Sequence, residues 1–582
     1  MTAVWPALRA RRWWTGGFGT VLLIALLFVL FIWPIGMLVA GIFREGSPGE
    51  PTRWTLDIAA RVLTSSDTYA ALEGSLIYAV ASTFFGVLLG AFFAFLVART
   101  EVPLAGSVTA VMLMVFAVPH IMYALGWGLL TDPSVGMLNI AARAIFGVEG
   151  AVFNVYSWTG LIFVHVLKLA SFCYLMLLPA FQGMNRSLEE ASLVAGASRV
   201  ETFFLVDLPL LTPALFGVVI LGCVFSLGAF DLPQILGGLA GIRVISTEIF
   251  KALNFSMPPD YAGASALGIF MMIALVLLLV LQWKMFGRDR FVTVTGKGYR
   301  KDAWNLGRWR YLCTALILLY ALFALVLPGI QMLLTSMQPS AGVNVYSLDN
   351  YRTVLADPLA MRAFRVTAAL ALLGGFLAVA LAAAVAYVAR HSPRWLEVAL
   401  DGVSLLPIIM PGVVMSVGLL WAYVSVPGLR QLYGTFWLAL IGIVVFLTPA
   451  ASRIVRGGIV QLSRELEEAG RTSGASHARV MFDIVLPLLA PALFAGWLVT
   501  AIIGAGTLDF PLLLLPPTIP NVSVLAYSYM SSGQPASACA LFMLLIAFIV
   551  GLTAGLIAIR HLVRRLHLRR QALQAVSEFA VP

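Results

Sequence analysis

Charge is what this chain has least of. Of its 582 residues 27 are acidic and 37 basic, 11% together, against 61% apolar. A water-exposed surface needs far more charge, since soluble domains run at roughly 25%. A string of soluble domains is therefore excluded. Cysteine is scarce too: Cys173, Cys223, Cys313 and Cys539 each fall within or at the edge of an apolar run, without metal-ligand spacing. They read as small packing residues rather than a disulfide framework or a metal site. Catalytic signatures are missing as well. Gly296-Lys297 lacks the upstream glycine of a phosphate loop, the histidines are scattered with no His-Glu-x-x-His, and no carboxylate dyad appears. The chain thus offers no catalytic residues, no metal site and no phosphate-loop grip on ATP.

What is there instead is apolar length. Runs of about 20 residues, enough to cross a ~30 Å hydrocarbon core as a helix, recur about twelve times, six per half. They are expected at 17–43, 75–98, 108–130, 159–181, 210–236 and 262–285, then at 312–336, 366–388, 399–424, 435–455, 488–515 and 536–559. The first run follows Arg9, Arg11 and Arg12, is too long for a signal-peptide core and lacks a small-residue cleavage site. It reads as an uncleaved helix with a cytoplasmic N-terminus. Pro119 in the third run and Pro411 in its counterpart interrupt backbone hydrogen bonding, which is tolerated where neighbouring helices repair the loss. The formal net charge of +10 sits in short loops and tails on one side of this topology, where it fixes orientation; nucleic acid is not implied. The expected division is a first half at 1–286, a basic cytoplasmic linker at 287–310, a second half at 311–560 and a basic cytoplasmic tail at 561–582.

One stretch occurs twice. LEEASLVAGASRVETFFLVDLPLLTPALF begins at Leu188 and LEEAGRTSGASHARVMFDIVLPLLAPALF at Leu466, so that Glu190 aligns with Glu468, Gly196 with Gly474 and Pro209 with Pro487. Each copy reads as a charged amphipathic segment, a Gly-Ala-Ser turn, and Leu-Pro opening an apolar helix. An even number of spans separates the two, so both face the same side. Ser187 and Glu190 have capping-box spacing, which would give a capped surface helix and nothing more. The second copy lacks that spacing yet keeps Glu468, Ala469 and Gly474, so more than a cap is repeated. Shorter echoes join it: Trp54-Thr55-Leu56-Asp57 with Tyr346-Ser347-Leu348-Asp349, and Val97-Ala98-Arg99 with Val388-Ala389-Arg390.

Glu-Ala-x-x-x-x-x-Gly followed about a dozen residues later by Leu-Pro resembles the EAA loop of permease subunits of bacterial ATP-binding-cassette importers. Ser192 and Gly470 stand where that name has its second alanine. The resemblance implies an all-α integral membrane protein of two homologous six-helix halves, the type I importer permease fold, in the bacterial inner membrane. It implies coupling loops at 187–208 and 463–486 that seat in grooves of two ATPase copies through Glu189, Glu190, Ala191, Gly196, Ala197 and Glu467, Glu468, Ala469, Gly474, Ala475. ATP and Mg would be bound by those partners and no cofactor by this chain; an external substrate-binding protein would deliver cargo. Fused permeases of this kind resemble the ferric-iron branch first, with aminoethylphosphonate, thiamine and polyamine as alternatives.

Within the spans the ionisable residues are few. Asp231 and Asp509 are partners in the repeat, each two residues before a proline, and either cap helix ends or face a water-filled path. Lys168, three residues after His165 on the fourth span, needs a carboxylate or carbonyl partner at that depth. With Pro119 and Pro411 these are the candidates for a translocation path. An ion-coupled secondary transporter is the reading from another class. It would show membrane-embedded coupling carboxylates and often a basic Gly-Asp-Arg loop after the second span, where this chain has ARTEVPLAG.

Overall fold

The computed structural model describes residues 17–184, 186–286, 304–551, 554–555 and 558. Arg9, Arg11, Arg12, Gly296-Lys297, most of the linker and the tail at 561–582 lie outside the described residues. Among the described residues nine helices are long and apolar enough to cross a membrane: Gly17–Gly41, Ser66–Arg99, Trp158–Gly183, Arg199–Gly228 and Tyr261–Leu281, then Trp309–Ser336, Pro358–His391, Phe436–Val460 and Met481–Ala505. The third span of each half is a bent pair, and counting each pair once gives eleven. The helix Pro535–Gly551 occupies the place of the twelfth.

The second spans show why these segments are helical. Ser65 accepts the amide of Asp67 before Ser66–Arg99, and Asp357 accepts that of Leu359 before Pro358–His391. Acid or proline opens each helix and Arg99 or Arg390 and His391 close it, matching the helix dipole. At 34 residues each is ~50 Å long. They project past the hydrocarbon and carry their terminal arginines beyond it.

The interrupted third spans bend more than tolerated prolines require. Ala105–Ala117 meets His120–Leu130 at 98°, and Arg394–Ile409 meets Gly412–Val424 at 107°. Arg99, at the end of the second span, pairs with Glu189, just past the end of the fourth. Since the fourth span crosses once, the bent pair between them must also cross, so it is a broken span and not a re-entrant loop. Arg390 and Glu467 impose the same on the second half. Both repeated loops thereby lie at the end of the bundle where the second spans finish.

Two expectations are corrected. The first repeated segment begins its helix at Arg186, which puts Ser187 inside the first turn; the reciprocal capping box of this loop is Ser198 with Glu201. Leu-Pro does not open the following helix either. That helix starts at Arg199, and Pro209 sits behind a wide π-type turn at Phe203–Asp207. The same turn precedes Pro34, Pro328 and Pro487, at Phe28–Ile32, Leu322–Val326 and Met481–Val485, in each case ending two residues before the proline. Proline has no amide to donate and its ring crowds the carbonyl four residues back, so the helix widens by one residue rather than breaking.

Candidate functional site: two braced loops and a crossed centre

Each loop is a short helix closed by a glycine. Arg186–Val194 and Arg464–Thr472 end at Gly196 (φ +95°) and Gly474 (φ +87°), backbone positions that L side chains avoid. The amide of Ala197 reaches the carbonyl of Ser192 at 3.1 Å and that of Ala475 reaches Gly470 at 3.1 Å. The amides of Gly196 and Gly474 reach Leu193 and Arg471 at 3.0 Å. This is the Schellman closure, which satisfies the last carbonyls and re-aims the chain into the fifth span.

The two adjacent glutamates of each loop part company. Glu189 and Glu467 are buried, whereas Glu190 and Glu468 are exposed beside the exposed Ala191 and Ala469. Glu189 pairs with Arg99; Glu467 takes His391 at 3.0 Å and Arg390 at 3.5 Å. Of the carboxylates expected to meet a partner, two instead brace their own loop to the second span. The repeated Val-Ala-Arg triplet was the sequence signal for these arginines, visible but with no stated partner.

The loops differ at their third position. Ser192 hydrogen-bonds Thr202 at 3.0 Å, while a Cβ at Gly470 would stand 2.7 Å from Ile484 and 3.2 Å from Val480. A polar pair in one copy is an apolar close approach in the other. On the outer face, Leu193 and Val194 of the first loop, the latter 89% exposed, are replaced by Arg471 and Thr472. Trp304, toward the end of the linker, pairs its backbone with Arg99 and Glu101 (2.8 and 3.2 Å), lies edge-on to Phe95 and carries the Arg199 guanidinium over its ring at 5.7 Å. It ties the junction of the halves to the first loop, which composition did not reveal.

Where the third spans break, the halves cross. A Cβ at Gly506, at the end of the second half's fifth span, would stand 2.8 Å from Pro119; one at Gly228, its counterpart, would stand 3.3 Å from Pro411. Each breaking proline packs against the other half. The first spans are exchanged in the same way: Gly126 abuts Pro328 and Gly418 abuts Pro34. Asp231 and Asp509 open the short helical segments that follow the fifth spans, and both keep partial exposure. The Asp509 carboxylate packs on Gly412, where any Cβ would overlap it.

Lys168 is spent on backbone. Its ammonium donates to the carbonyls of Val115 (2.7 Å), Phe116 (3.1 Å) and Val118, the groups freed where Pro119 ends the helix. The second half has Phe446 there and closes its broken helix with a 3₁₀ turn at Leu406–Ile409 instead.

A duplicated, interlocked helical bundle with a matched pair of braced loops at one end has the build of a membrane-spanning subunit. The family described as binding-protein-dependent transport system inner membrane component matches residues 86–292 and again 366–568, and the chain belongs to it. It is a non-catalytic permease subunit of an ABC importer, multi-pass and of bacterial type. Among similar proteins, a putative ferric transport system permease protein of Haemophilus influenzae is 27% identical over 494 residues, 83% of this chain and 75% of that one. A ferric transport system permease protein of Actinobacillus pleuropneumoniae is 26% identical over 501 residues, 83% and 69%. A solved bacterial ABC transporter that imports the polysaccharide alginate has a chain covering 48% of this one at 20% identity, with a TM-score of 0.41.

Proposed function

We propose that this chain is the fused permease of a ferric-iron importer of the bacterial inner membrane, both termini cytoplasmic, with halves at 1–286 and 311–560. Two copies of an ATPase subunit dock on the loops at 187–208 and 463–486, bind ATP and Mg, and rock the halves about the crossed centre; an external binding protein delivers the cargo. The carrying observation is the pair of loops, each locked from behind by a buried ion pair while Glu190 and Glu468 face outward. A loop held so firmly transmits a push to the second span, and a loose one would not. Ferric iron rests on the named function of the similar permeases, over aminoethylphosphonate, thiamine or polyamine.

Co-purification with the ATPase subunit, followed by uptake of radioactive ferric iron into proteoliposomes supplied with the binding protein, tests both parts. Glu190→Ala with Glu468→Ala is expected to keep the permease folded and cut uptake at least tenfold. Wild-type uptake by that variant would reject the docking role, and transport of aminoethylphosphonate but not iron would replace the cargo.

A further inference from the structure

The repeat allows a comparison of the two halves residue by residue along their second to fourth spans, and there they differ in kind. Along the second span the offset that pairs Pro119 with Pro411 also pairs Thr83, which faces Gly222, with Gly375, which faces Thr500. In that register Tyr78 and Ser82 correspond to Leu370 and Gly374; on the fourth span His165 corresponds to Ile443. The three first-half side chains are 1%, 0% and 4% exposed, and Tyr78 Oη, Ser82 Oγ and His165 Nδ1 have no hydrogen-bond partner among the described residues.

The Tyr78 and His165 rings stack at 4.8 Å. Ser82 lies one turn before Gly86, which packs on Leu169, as His165 lies one turn before Leu169, so the same helix-helix register aligns Ser82 with His165. Tyr123, whose ring centre lies 5.7 Å from the Lys168 ammonium, and Trp127, both on the outer arm of the broken span, add a phenol and an indole without a hydrogen-bond partner among the described residues. Their counterparts are Met415 and Leu419. Other buried aromatics are satisfied: Tyr174 meets Thr109, Tyr320 donates to the Leu167 carbonyl, Trp421 to Ser265 and Tyr423 to the Val29 carbonyl. Among the described residues the buried aromatic and imidazole groups that lack a partner thus all belong to the first half, while the second half leaves only the hydroxyls of Ser425, Ser452 and Ser523 unmet.

We propose that the first half carries an intramembrane site for an oxygen-rich, hydrogen-bonding solute, formed by Tyr78, Ser82, Tyr123, Trp127 and His165, with apolar residues at the corresponding positions of the second half. In hydrocarbon surroundings such groups are retained where water or a ligand meets them in some state of the cycle. Hydroxyl, indole and imidazole groups beside a fixed ammonium suit carboxylate, phosphonate or similar oxygens; the Lys168 charge opposes a bare cation. The site rests on the importer reading and deepens it: the cargo passes as a chelate or oxyanion, held asymmetrically.

The test uses the permease with its ATPase subunits in lipid nanodiscs. In X-ray hydroxyl-radical footprinting, which marks buried side chains that touch water, Tyr78 and Tyr123 are expected to react at least fivefold faster than Tyr320 and Trp421, and ferric citrate at millimolar concentration is expected to slow them. Equal rates for the two sets would overturn the proposal. A variant with Tyr78→Leu, Ser82→Gly and His165→Ile, the residues the second half already packs at these places, is expected to assemble and lose at least tenfold in uptake of iron given as ferric citrate; undiminished uptake counts against the site. If the wild type carries no ferric citrate the cargo assignment fails, and the footprinting contrast still decides the site.

Discussion

Arg99 and Glu189 form an ion pair almost out of reach of water, their side chains 4% and 8% exposed. Removing one member of such a pair strands the other, at a cost of about 3–5 kcal/mol, whereas removing both costs far less. Arg99→Ala is therefore expected to lower the melting temperature of the purified permease more than Arg99→Ala with Glu189→Ala does. Additive losses in that double-mutant cycle would mean that the two residues do not act on each other. Glu467 shares its charge between Arg390 and His391, so Arg390→Ala is expected to be milder than Arg99→Ala. Lys168 is a residue-scale device of another kind. Lys168→Met leaves three carbonyls unmet at the Pro119 break, a loss of about 1–3 kcal/mol for each. Differential scanning calorimetry is expected to show the variant destabilised, and unchanged unfolding would remove its capping role.

The repeated loop is the element whose outline was most legible and whose working was least so. Glu-Ala, the glycine and the following turn appear in the sequence in order, and Gly196 and Gly474 do sit at left-handed positions closing their helices. Neither glycine is crowded, since a Cβ at either would meet nothing within 4 Å. Conformation alone demands them. Gly196→Ala and Gly474→Ala are each expected to strain the turn by about 1–2 kcal/mol and to raise ATP hydrolysis that moves no cargo, measured as the ratio of phosphate released to iron taken up. An unchanged ratio would separate the turn from coupling. Adjacent glutamates could not be sorted by sequence. On a helix successive side chains lie about 100° apart, and which of them turns inward depends on where the second span ends in space. The prolines show the same limit: Pro34, Pro209, Pro328 and Pro487 look like breakers but sit behind wide turns, while Pro119 and Pro411 swing their spans through about a right angle.

At the scale of the whole molecule the halves are crossed rather than set side by side. Pro119 packs on Gly506 and Pro411 on Gly228, so a motion of one half against the other that frees one contact is expected to free its twin. Cysteines at 119 and 506, or at 228 and 411, are expected to cross-link readily and to arrest uptake equally in either pair, with reduction restoring it. Uptake that continues in the cross-linked protein would place the moving surface elsewhere. The exchanged first spans, Pro34 against Gly418 and Pro328 against Gly126, extend the interlock, so the halves form one cooperative body although the sequence reads as two.

Composition by itself determined the solvent of this protein, and the repeat determined its duplication, its span order and the two loops. Both follow from local chemistry: apolar length sets a helix that crosses lipid, and glycine or proline at a fixed place sets a turn. Tertiary structure decided what each polar residue is for. Glu189 braces a loop while Glu190 faces out, Lys168 closes a broken helix, and Tyr78, Ser82 and His165 gather where the other half has Leu370, Gly374 and Ile443. In a low-dielectric interior a polar side chain acts through whatever lies within hydrogen-bonding reach. Those neighbours come from spans tens or hundreds of residues away in the chain.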